Sequence, residues 1–209
     1  MGFLNLFKKS PSASRRVAVI GLAGMSCRLI KELSANGHLP CISRLLDEGF
    51  ACEMESTLPP VPSVAWTTCM TGVNPAKHGI FGFMERRRES YGVFFPNASQ
   101  IAAPALWDVL TAAGKKTLAV NVPQTYPARE INGIMISGFV ADDFEKAVYP
   151  RRLVAPLQEI RYRIDIAESA ADNKDAFFKD LMQVLKKHRE TLMYLADKVN
   201  WDLLVGVFT

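Results

Sequence analysis

Ser63, His78, Asn121 and Thr125 are the side chains whose type and setting could do chemistry. Ser63 sits in the stretch Thr57 to Phe83, TLPPVPSVAWTTCMTGVNPAKHGIFGF. A proline-stiffened loop, Pro59-Pro60-Val61-Pro62, leads into a short apolar run, and Gly72 can end that run in the left-handed conformation. The pattern predicts a short helix from about Val64 to Thr71 with Ser63 at its N-cap. A hydroxyl there stands beside unpaired backbone N–H groups and the positive end of the helix dipole, a place suited to an anion and above all to phosphate. The plainer reading is that Ser63 caps the helix and does nothing more. His78, in Asn74-Pro75-Ala76-Lys77-His78-Gly79-Ile80, either hydrogen-bonds its own turn or touches a substrate. Asn121 and Thr125 close a predicted strand, where they face a cleft or serve as turn residues.

The elements that must position these residues alternate between strand and helix. Arg16 to Leu22 (RVAVIGL), Thr117 to Val122 (TLAVNV), Gly133 to Ser137 and Trp201 to Thr209 read as buried strands of a parallel sheet. Ala51 to Ser56 reads as a further strand and Tyr91 to Phe95 as an edge strand. Ser26 can cap a helix carrying Leu29, Ile30 and Leu33 on one face and closed by Gly37. Pro40 opens a second helix with Ile42, Leu45 and Leu46 inward and Gly49 at its end. Pro104 starts a helix with an apolar stripe of Leu106, Val109, Leu110 and Ala113, stopped by Gly114. The longest helical pattern runs from Asp172 to Asn200, with Phe178, Leu181, Leu185, Leu192, Ala196 and Val199 as its stripe. His188 falls near that stripe and reads as a packed helix histidine, because no second ligand stands at helical spacing. The alternation predicts an α/β fold with a mostly parallel sheet flanked by helices.

Composition narrows the function classes. The chain has 209 residues, 49% of them apolar, enough for one sizeable core. A formal charge of +4, partly from Arg86-Arg87-Arg88, gives no nucleic-acid footprint, and that run reads as a solvated surface. Cys27, Cys41, Cys52 and Cys69 are scattered without a C-x-x-C pair, which points to free thiols in a reducing cytoplasm. No run has the length of a membrane span. Residues 1–15 read as a flexible tail, since the small polar run Ser10 to Ser14 follows a short apolar stretch, and that stretch precedes its lysines, the reverse of a secretory signal. Asn97-Ala98-Ser99 has the form of a glycosylation acceptor, with no export signal to give it meaning.

Read in order, the chain resembles the N-terminal part of the alkaline phosphatase superfamily, in its type I phosphodiesterase/nucleotide pyrophosphatase-like branch. The resemblance is carried by the strand ending Gly21-Leu22-Ala23-Gly24, by the Thr57–Phe83 stretch, by Pro104-Ala105-Leu106-Trp107-Asp108, by Asn121-Val122-Pro123-Gln124-Thr125-Tyr126-Pro127 and by Ile136-Ser137-Gly138-Phe139. It implies an alkaline-phosphatase-like fold over residues 16–209, cut short, and a metal-dependent phosphohydrolase or phosphodiesterase acting on small phosphate esters. It implies two divalent metals, commonly zinc, and a Thr or Ser nucleophile at a helix N-terminus. The chain departs from that pattern. Ala23 stands where the family carries a metal-binding aspartate, Pro62 takes the usual nucleophile position with Ser63 one residue later, and the later Asp and His ligands are not present. These departures predict no two-metal site and no turnover by this chain alone. The alternatives are a non-catalytic pseudoenzyme that binds a phosphorylated ligand or a partner protein, and a relic that self-associates through an open sheet edge.

Overall fold

The computed structural model describes residues 15–87, 89–166 and 173–209. All but the last residue of the expected tail, together with Arg88 and Asp172, lies outside the described residues. The elements are β1 (Val17–Leu22), α1 (Cys27–Ala35), α2 (Pro40–Glu48), α3 (Pro62–Thr71), α4 (Pro75–His78), β2 (Glu85–Arg86), β3 (Val93–Phe94), α5 (Leu106–Ala112), β4 (Thr117–Val122), β5 (Gly133–Ser137), β6 (Val148–Tyr149), α6 (Val154–Glu159), α7 (Lys174–Lys198) and β7 (Leu203–Phe208).

Five strands form one sheet in the order β1-β7-β4-β5-β6. The first four run parallel, and β6 pairs antiparallel with β5. The architecture is thus α/β with a mostly parallel, helix-flanked sheet. β2 and β3 make a separate two-stranded ribbon, which takes up the expected edge strand.

The central strands are buried because they are apolar on both faces and both faces are covered. On one face Leu192 and Leu195 of α7 pack on Leu118, Val120, Ile134 and Leu204. On the other, Met70 of α3 and Trp107 of α5 pack on Ala119, Met135, Val205 and Val207. Gly206 permits the close approach of α7, since a Cβ there would lie 2.5 Å from Leu192 Cδ2.

Several expectations are corrected by the packing. β1 is a strand but not a buried one: Val17 is 55% and Ile20 52% exposed. Among the described residues it pairs only with β7, and neither α1 nor α2 contributes a buried residue, so most of its surface stays open. Leu45, expected inward on α2, is likewise exposed. Ala51 to Ser56 forms no strand. On α5 the buried residue is Trp107, while Leu106 and Val109 point outward. The indole carries more apolar surface than either, and burying it decides the helix rotation. On α7 the buried residues are Val184, His188, Thr191, Leu192 and Leu195, and Phe178 is exposed. A 25-residue helix is about 37 Å long, whereas six-residue strands span about 20 Å, so the N-terminal half of α7 outruns the sheet. Among the described residues, no helix is long and apolar enough to cross a membrane.

Candidate functional site at the carboxyl edge of the sheet

In open α/β sheets the ligand cleft lies beyond the C-terminal ends of the parallel strands. Here that edge is formed by Ala23 after β1, Asn121 to Gln124 at the end of β4, Gly138 to Val140 after β5, and Phe208 at the end of β7. The Ala23 N–H donates to the Phe208 carbonyl at 2.8 Å, joining the β1 and β7 ends. α3 starts at this edge. Its Trp66 lies over Gly21, where a Cβ would come 2.3 Å from Trp66 Cη2, and Met70 one turn later reaches the deeper core.

The start of α3 differs from expectation. The helix opens at Pro62, its N-cap is Val61, and no side chain caps it. Pro62 takes the first turn because its fixed φ suits a helix and its missing N–H would have been unpaired there anyway. Ser63 is therefore inside the first turn and is not the cap. Its Oγ is buried and has no hydrogen-bond partner among the described residues. The Val64 and Ala65 N–H groups both donate to the Val61 carbonyl, at 3.0 and 2.9 Å.

His78 ends α4, whose N-cap Asn74 accepts from the Lys77 N–H at 3.2 Å. Its Nδ1 accepts from the Ile80 N–H at 3.1 Å, which leaves Nε2 protonated to donate to Thr68 Oγ1 at 2.9 Å. Both ring nitrogens are thus occupied in locking the turn to α3. Burial holds the His78 pKa below the ordinary histidine value, so the ring stays neutral.

Asn121 is the odd residue in β4. The β4–β5 register shifts between Val120 and Val122, and Asn121 sits at that bulge with φ 59°. The bulge turns its amide toward α7, where Nδ2 donates to the Val207 carbonyl at 3.2 Å and to His188 Nδ1 at 3.3 Å. His188 Nε2 donates in turn to the Arg163 carbonyl at 2.8 Å, and its ring lies 5.2 Å from that of Tyr162. His188 is therefore a packed histidine, its pKa lowered by burial against the weaker opposing pull of the Arg163 carbonyl and Asp165. Thr125 is a turn residue: its Oγ1 donates to the Val122 carbonyl at 2.7 Å, and its own carbonyl accepts from Ser137 Oγ at 3.1 Å.

Ser63, His78, Asn121 and Thr125 are 1%, 0%, 0% and 2% exposed, so none of the four meets solvent in this conformation. Nor do they converge. Ser63 and His78 belong to the α3 side of the sheet and Asn121 to the α7 side. The edge does carry an open recess that the four candidates do not line. It has a volume of about 230 Å³ and is walled by Phe95, Asn97, Gln124, Tyr126, Phe139 and Asp142. A sequence signal for it existed: Phe95 directly follows the β3 run and Phe139 stands two residues after the β5 run.

The described residues offer no donor set for a two-metal centre. Among the described residues, no group of three or more His, Cys, Asp or Glu side chains stands close enough to hold a metal ion. Ala23, just after β1, brings only a methyl group to this edge.

The fold is α/β, with the candidate site at the carboxyl ends of its parallel strands. Residues 17–209 match the sequence profile of the type I phosphodiesterase / nucleotide pyrophosphatase family, and the chain belongs to that family. Two solved structures share the fold. Phosphonoacetate hydrolase from Sinorhizobium meliloti 1021 in complex with phosphonoacetate superposes with a TM-score of 0.68 at 16% identity, over 92% of this chain and 46% of that one. The same hydrolase with phosphonoformate gives 0.66 at 15% identity, over 92% and 46%. The chain therefore spans about half the length of those structural relatives. No curated protein sequence matches it.

Proposed function

We propose that this chain supplies the phosphate-facing part of a phosphate-ester hydrolase, and that residues 1–209 alone bind a small phosphate ester without turning it over. The observation that carries the binding reading is the start of α3 at the carboxyl edge, uncapped by any side chain, with the Ser63 hydroxyl buried and unpartnered. A buried hydroxyl without a partner costs about 1–3 kcal/mol, and a phosphate oxygen would satisfy it. Ser63 is the candidate nucleophile of this reading. Its enclosure means that the preceding segment, in which Leu58 is 86% exposed, has to shift before phosphate reaches it. His78, Asn121 and Thr125 serve from behind by fixing the edge, and do not touch the ligand. The two divalent metals of active superfamily members have no donor set among the described residues, and Ala23 removes one ligand outright. That disagreement is the reason for expecting no turnover. Four exposed free cysteines fit a reducing, cytoplasmic setting.

The test uses inorganic phosphate titrated by calorimetry with and without a chelator, beside turnover of bis(p-nitrophenyl) phosphate. Binding that survives chelation and is weakened in Ser63→Ala, with no turnover, is the expected result. Absence of phosphate binding refutes the site. Metal-dependent turnover by the purified chain refutes the statement that it is inactive alone.

A further inference from the structure

The recess after β4 and β5 combines aromatic walls with an unneutralised acid. Phe95, Tyr126 and Phe139 line it, and Phe95 and Phe139 are 60% and 40% exposed. Asp142 lies at its rim and accepts a hydrogen bond from the Tyr126 hydroxyl. That contact and burial, burial first, push the Tyr126 pKa up to about 12, so the ring stays an uncharged phenol. None of the described ion pairs joins Asp142 to a lysine or arginine, whereas the neighbouring Asp143 is paired with Lys146 at 3.1 Å.

The walls are held in place. Phe83 meets Phe139 edge-on, with ring centres 5.9 Å apart at 88°. Gln124 Nε2 donates to the Pro96 carbonyl at 2.6 Å, tying the β4 loop to the segment that carries Phe95 and Asn97. Gln124 and Val140 both take positive φ, 63° and 64°. For a β-branched valine that conformation is costly and persists only where its surroundings enforce it.

The electrostatics select the ligand. An aromatic face is negative, and a carboxylate beside it repels phosphate and attracts a cation. An alkylammonium group satisfies both: its methyls pack on the rings while its charge is shared between ring faces and carboxylate. We propose that this recess binds a quaternary or alkyl-substituted ammonium group. None of the residues that line it belongs to α3. The proposal does not depend on phosphate binding there.

The experiment compares choline with its uncharged carbon isostere, 3,3-dimethyl-1-butanol. Both are titrated into the ¹⁵N-labelled chain, following the Gln124 and Asn97 side-chain amide signals. Choline should bind about tenfold tighter than the isostere. Phe139→Ala and Asp142→Asn should each remove most of that preference while the remaining spectrum stays that of the folded chain. Equal binding of the two probes means an apolar pocket without charge recognition and overturns the proposal, as does absence of binding. Loss of folding in Phe139→Ala is covered by Asp142→Asn, whose side chain is exposed and keeps the shape of the recess.

Discussion

His188 gives the sharpest test of how this fold is held, because its protonation state and its neighbours are both determined by geometry. The ring is 1% exposed, donates from Nε2 to the Arg163 carbonyl and accepts at Nδ1 from Asn121. Asp165 is the charged group acting on it, and Tyr162 covers its face. Protonation would place a second proton at Nδ1, facing the Asn121 amide donor, so the folded state resists it. His78 resists for the same reason, since its Nδ1 faces the Ile80 N–H. Both folded pKa values lie below the unfolded one, which is about 6.5. The unfolded chain therefore binds protons that the folded chain excludes once pH falls below about 6.5, and stability drops from there until the folded pKa values are passed. The limiting slope is about 1.4 kcal/mol per pH unit for each histidine, about 2.7 for the two. His188→Gln keeps a donor near the Nε2 position, loses the acceptor for Asn121 and does not titrate. It should cost about 1 kcal/mol at pH 8 and reduce the acid slope to that of His78 alone. His188→Leu leaves both the Arg163 carbonyl and the Asn121 amide short of a partner and should cost about 2–4 kcal/mol at any pH. The assay is urea unfolding followed by tryptophan fluorescence from pH 5 to pH 8. Parallel pH curves for wild type and His188→Gln, or a Leu variant as stable as wild type, would refute the argument.

Other outcomes follow from single contacts. Gly138→Ala should destabilise by about 3 kcal/mol, as its Cβ would come 2.4 Å from the Asn121 carbonyl oxygen, a backbone atom that cannot swing aside; thermal melting reads this. Thr68→Val should cost about 1–3 kcal/mol by leaving the buried His78 Nε2–H without its acceptor, measured by the same urea titration. Ile20→Lys should suppress concentration-dependent association in sedimentation velocity, because Ile20 is an exposed apolar residue on the unpaired β1 edge; association unchanged by it would show that β1 is not the contact. Cys27, Cys41, Cys52 and Cys69 are all exposed and free, so a thiol reagent should label all four in the folded chain under native conditions.

Much of the frame was legible because it rests on local pattern. TLAVNV and LLVGVF are apolar runs of strand length, and they form the buried strands β4 and β7. Ser26 caps α1 as its type suggests, accepting from Leu29 N–H at 3.2 Å. Gly72 closes α3 at φ 67°. The short elements β6 and α6 carry too few residues for a period to show, and they appear only in the structure. β1 was legible as a strand, but its exposure was not, because its apolar run resembles those of β4 and β7 and the difference lies in what packs on it.

The candidate site divides along the same line. Residue type and order alone were enough for the class: an ordered set of motifs and an α/β alternation. They also located a helix start near a hydroxyl residue. Tertiary structure decided what those residues do. It placed β7, last in the chain, between β1 and β4, a pairing of strands far apart in sequence that no local preference encodes. It put Pro62 in the first turn of α3, enclosed Ser63, and let a one-residue bulge turn Asn121 away from the edge toward His188. It gathered Phe95, Tyr126, and the Phe139 and Asp142 of one loop, into a single recess. Side-chain roles of this kind depend on burial and on partners distant in sequence, and those exist only once the chain has packed.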